Sequence, residues 1–70
     1  MKKFFIELTK SNGDTVATIE RYETSTEGQA FTIFDKLIKK ARAEKTGDGA
    51  RICYGRNYDD SDIVEVWGRW

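Results

Sequence analysis

Seventy residues, 39% of them apolar and 34% charged, supply one small hydrophobic core, so a second domain is excluded. Twelve basic residues balance twelve acidic ones, histidine and proline are absent, and cysteine occurs once. That inventory excludes an internal disulfide, a zinc-binding set and a cysteine–histidine dyad, leaving apolar packing to hold residues 1–70 together as a single domain.

At this length only about 60% of the unfolded chain's surface is buried on folding, so a stability of a few kcal/mol is expected unless an oligomer adds to it. Met1 to Ile6 opens like a signal peptide, but Glu7 and Lys10 interrupt the apolar run too early. No stretch approaches the roughly 20 apolar residues of a membrane span. With a lone Cys53, these features point to a cytoplasmic protein without a membrane association.

Lys3 to Thr9 alternates, with Phe4, Ile6 and Leu8 on one face and Lys3, Phe5, Glu7 and Thr9 on the other, the period of a half-buried strand. Asn12-Gly13 tolerates the positive φ angles of a two-residue turn and predicts a hairpin into a second strand, from Asp14 or Thr15 to Tyr22. That turn sets Leu8 opposite Ala17 and Ile6 opposite Ile19, with the apolar residues of both strands on one side.

Thr24 followed by Glu27 reads as a capping box opening a helix, with Ser25 a competing cap. Ala30, Ile33, Phe34, Leu37, Ile38 and Ala41 then fall in one apolar arc, with Phe31 at its edge. The helix is expected to stop near Lys45 or Thr46, where Gly47 can take a left-handed conformation. Ala50 to Asn57 and Ile63 to Trp70 are β-prone runs separated by a polar stretch, Tyr58 to Asp62. An odd-length loop there sets Ile52, Tyr54, Val64, Val66 and Trp70 toward the helix. Arg51, Cys53, Ile63, Glu65, Trp67 and Arg69 then face away, and Gly68 is a candidate bulge.

The order strand, strand, helix, strand, strand describes an α+β two-layer sandwich, a four-stranded sheet with one helix on one face. Numbering strands along the chain, two sheet orders satisfy the strand directions: 2-1-4-3, with parallel central strands, and 2-1-3-4, all antiparallel. The hairpin at Asn12-Gly13, the helix from Thr24 to Lys45 and the closing hairpin together resemble the β-grasp architecture of the immunoglobulin-binding modules of protein G and protein L. The resemblance covers nearly the whole chain as a succession of elements, without a ligand-contacting motif. It favours 2-1-4-3 and transfers no binding residue and no activity.

In this register the uncovered sheet face carries Phe5, Val16, Tyr22, Ile63 and Trp67, with Lys3, Arg51 and Arg69 beside Glu7, Glu20 and Glu65. Aromatic residues beside arginine are the composition of interface hot spots. The reading is therefore a small protein-binding module, an adaptor or an occluding inhibitor such as mobile elements encode. Phe5, Tyr22 and Trp67 are its anchors, and Arg51 and Arg69 its orienting charges. Ordinary cross-strand pairing accounts for the same residues without a ligand. A nucleic-acid reading places Lys36, Lys39, Lys40 and Arg42 on phosphates, from a segment carrying five basic residues against Glu44 alone. A third reading is a homodimer formed through the same face or a sheet edge.

Asp59-Asp60-Ser61-Asp62 lacks the glycine and terminal acid of a calcium loop and reads as a hairpin tip, so no metal is expected. There is no phosphate loop, dinucleotide fingerprint or nucleophile elbow, and a chain this small leaves little room for a pocket of about 300 Å³. Neither catalysis nor a cofactor is expected.

Overall fold

The computed structural model describes residues 1–68, so Arg69 and Trp70 lie outside the described residues. Its elements are β1 (Lys3–Asn12), β2 (Thr15–Thr24), α1 (Glu27–Glu44), β3 (Gly49–Gly55) and β4 (Ser61–Gly68). They build the expected α+β sandwich, one sheet with one helix on one face.

The sheet order is β2-β1-β3-β4 and every pairing is antiparallel. This is the alternative order, and it corrects the preference for 2-1-4-3 and the topology that the β-grasp resemblance implied. Strand chemistry gives the reason. Ala50, Ile52 and Cys53 make β3 apolar on both faces, which suits a central strand. Asp62 and Glu65 make β4 a charged strand, which suits an edge. The register also sets Glu7 of β1 directly against Arg51 of β3, an opposite-charge pair that favours this neighbour.

The first hairpin turns at Gly13-Asp14, one residue later than Asn12-Gly13, with Asn12 paired to Thr15. Gly13 holds φ at 69°, a conformation open to glycine at little cost. Further from the turn, Ile19 is an extra residue between Thr18, opposite Thr9, and Glu20, opposite Leu8. This β-bulge reverses the rest of β2, so Tyr22 pairs with Ile6 on the helix side and Ile19 is exposed.

The second hairpin has the expected odd loop, residues 56–60, closed by a Gly55–Ser61 pair. A bulge at Val64, four residues before Gly68, separates Ile63, opposite Cys53, from Glu65, opposite Ile52. Beyond it Val66 lies opposite Arg51 on the helix-free side, and Trp67 lies opposite Ala50 on the helix side. Both bulges sit on edge strands, and each reverses the faces beyond it.

The N-cap is Thr26, whose side chain accepts from the Gln29 N–H, because Thr24 is still held in β2 opposite Phe4. Thr26 and Gln29 form a second capping-box spacing that overlaps the Thr24–Glu27 one. Lys45 ends the helix at φ 55°. Gly47 serves another purpose: a Cβ there would lie 2.9 Å from both the Leu8 side chain and the Thr9 carbonyl, where the chain crosses β1. The crossing is fixed by the Asp48 N–H donating to the Thr9 carbonyl and the Ser11 N–H donating to the Asp48 carboxylate.

The core joins Ile6, Leu8, Ala50 and Ile52 of the sheet to Ala30, Phe34, Leu37 and Ala41 of α1, with Phe4, Phe31, Ile33, Ile38 and Trp67 packed around them. No helix among the described residues is long and apolar enough to cross a membrane.

Candidate functional site

The helix-free face is partly closed by its own side chains. Phe5, Glu7, Thr9 and Cys53 point there and are all buried, Glu7 to 1% exposure. A buried carboxylate needs partners to offset its lost hydration, and four groups converge on this one. The Arg51 Nε donates to Glu7 at 2.7 Å, and the Tyr58 hydroxyl lies 2.7 and 2.9 Å from its two oxygens. Thr18 donates at 3.4 Å, and the Arg21 guanidinium stands 3.8 Å away.

Tyr58 comes from the β3–β4 loop and lies back over the sheet. Its ring meets Phe5 edge-on, with centroids 6.2 Å apart, and the Arg21 guanidinium stacks on it at 3.8 Å. A second Arg51 nitrogen donates to its hydroxyl at 2.8 Å. Burial first, and then the hydrogen bond to Glu7, raise the Tyr58 pKa above the ordinary tyrosine value. For Arg51, burial works against the charged form, but the hydrogen bond to Tyr58 and the Glu7 charge outweigh it and raise its pKa. Two guanidiniums around one carboxylate leave this cluster with one excess positive charge.

Beside the cluster, toward β4, the same face carries exposed aliphatic side chains: Ile63 is 56% exposed and Val66 46%. Next to them on the edge, at the bulge, Val64 is 46% exposed.

The proposed anchors therefore separate. Phe5 and Arg51 lie on the helix-free face, Phe5 buried beneath Tyr58 and Arg51 bonded to Glu7 and Tyr58. Tyr22 and Trp67 lie on the other side, a correction that follows from the two bulges. Tyr22 donates to Glu20 at 2.6 Å, which lowers the Glu20 pKa and raises its own. Trp67 packs against the core with the Arg42 guanidinium 5.7 Å from its ring. Arg69 lies outside the described residues.

Of the helix cations, Lys40 pairs with Glu20 at 3.0 Å and Arg42 stands over Trp67, while Lys36 and Lys39 are exposed. Between α1 and β2 runs an open groove of two adjoining cavities of about 320 and 350 Å³, sharing Ile33 and Lys36. It is larger than so small a chain was expected to hold. Among the described residues no three His, Cys, Asp or Glu side chains come together as a metal-binding group.

Glu7 and Tyr58 are the residues that strand alternation missed, since it placed Glu7 in water. The available signal was a single carboxylate inside the apolar run Phe4-Phe5-Ile6-Glu7-Leu8, a position that calls for a partner. In comparisons with known proteins, no family model, no curated protein and no solved structure matches the chain.

Proposed function

We propose that this chain is a non-catalytic module that binds another protein through the β4 side of its helix-free face. The observation that carries the reading is the pairing of half-exposed Ile63 and Val66 with the hydrogen-bonded and stacked Tyr58–Arg51–Arg21 cluster, on a face that no helix among the described residues covers. Tyrosine and arginine already held by hydrogen bonds and stacking have less side-chain entropy to lose on binding, and exposed aliphatics beside them gain by leaving water. Phe5 supports this surface from beneath, and Tyr22 and Trp67 take no part in it. A module of this kind acts as an adaptor or an occluding inhibitor, in the cytoplasm.

The nucleic-acid reading is weakened because Lys40 and Arg42 are already engaged, leaving Lys36 and Lys39 as the open cations of the four. The test is affinity capture from the native cell with three baits: wild type, Ile63→Lys/Val66→Lys and Lys36→Glu/Lys39→Glu. A protein retained by the wild type and the helix variant but lost from the sheet variant supports the proposal. Nucleic acid lost only from the helix variant, or a protein indifferent to both variants, overturns it.

A further inference from the structure

β4 is an outer strand, and among the described residues no strand neighbours the main-chain N–H and C=O groups along its free side, although the Val66 N–H donates to the Glu65 carboxylate at 3.2 Å. Sheets commonly protect such an edge with proline, with charged side chains or with a bulge; β4 carries Asp62, Glu65 and a bulge but no proline. Here half-exposed Ile63, Val64 and Val66 border it, and the bulge at Val64 sorts the remaining side chains by face. Ile63 and Val66 share the helix-free face with Cys53 and Arg51, whereas Asp62 and Glu65 share the helix side with Tyr54 and Ile52. One side of the edge is aliphatic and the other acidic.

Asp62 and Glu65 are exposed, as are Asp59 and Asp60 in the adjoining loop; the Glu65 carboxylate accepts from the Val66 N–H, and among the described residues no ion pair reaches any of the four. A second copy paired along this edge would bring these carboxylates toward their own counterparts, which disfavours self-association. A basic strand meets the opposite situation.

We propose that β4 captures an extended, basic segment of another protein by adding it to the sheet as a fifth strand. Main-chain hydrogen bonds to the edge supply the binding, and alternating side chains supply the selectivity. Apolar β-branched residues lie beside Ile63 and Val66, and Lys or Arg lies over Asp62 and Glu65. This rests on the reading of the chain as a protein-binding module and names the chemistry of its partner.

The probe is a labelled peptide of β4's own length, eight residues, alternating lysine and valine, with a glutamate–valine peptide as control. Fluorescence anisotropy is expected to show the lysine peptide bound at least about tenfold more tightly. Amide exchange is expected to slow within Ile63–Trp67 when that peptide is added. Ile63→Lys abolishes binding, and Asp62→Lys/Glu65→Lys, at two exposed positions, reverses the preference toward the glutamate peptide. No binding of the lysine peptide, equal binding of both peptides, or protection confined to other strands overturns strand addition. If the peptide fails while a cellular protein is still lost from the Ile63→Lys/Val66→Lys bait, the face docks its partner without strand addition, and only this inference falls.

Discussion

On the helix-covered face Ile6, Leu8, Ala50 and Ile52 are dry because Phe34 and Leu37 of α1 lie on them. On the opposite face Phe5, Glu7 and Cys53 are nearly as dry, although no helix or strand among the described residues covers them. The first face is sealed by apolar contact, which has no direction and no charge to titrate. The second is sealed by Tyr58, Arg21 and Arg51 arranged around Glu7, which depends on hydrogen-bond geometry and on the Tyr58 hydroxyl keeping its proton. The contrast also locates the open surface: the polar cover ends before β4, and the aliphatic side chains beyond it remain wet.

Substitutions sharpen this comparison. The largest loss is expected on the apolar face, where Leu37→Ala removes buried methyl groups and leaves a cavity, costing about 2–5 kcal/mol. Denaturant melts check it, and the loss is expected to be the same at neutral and alkaline pH. Glu7→Ala follows at about 2–3 kcal/mol, below the cost for a fully buried pair because Arg51, still donating to Tyr58, is partly exposed and can regain some water. In a domain this small each kcal/mol moves Tm by about 4–8 °C, so calorimetry separates Glu7→Ala from a milder Glu7→Gln.

Tyr58→Phe keeps the ring over Phe5 but loses the hydroxyl bridge, at a cost of about 1 kcal/mol. The same hydroxyl sets an alkaline limit. Its pKa is raised in the fold, so its contribution is fully present below the unfolded tyrosine value of about 10 and is lost as pH rises through the folded value. Wild-type stability is therefore expected to fall faster above that pH than that of Tyr58→Phe, as parallel melts measure. Lys40→Ala, which breaks an exposed pair with Glu20 on the helix side, is expected to have the smallest effect, visible at low salt and absent at high salt.

Much of this was legible in the residues. Alternation through Phe4, Ile6 and Leu8 marked β1, and the helical arc of Ala30, Phe34, Leu37 and Ala41 identified the buried side of α1. The bulges at Ile19 and Val64 were not legible, because a period of two carries no mark for one extra residue, and each reversed an aromatic side chain, Tyr22 and Trp67. Sheet order was open to strand directions alone; it follows from the doubly apolar β3 and from Arg51 meeting Glu7. The Glu7 cluster depends on Tyr58, 51 residues away along the chain, returning over the sheet, a contact that no local pattern encodes.

Residue-resolved amide exchange on the free protein tests most directly whether the helix-free face is closed at its centre and open along β4. Amides of Ile6 to Leu8 and of Ile52 and Cys53 are expected to exchange at the slow limit set by global unfolding, while alternate amides within Ile63–Val66 exchange orders of magnitude faster. Uniformly slow exchange along Ile63–Val66, or fast exchange at Glu7, would contradict the account.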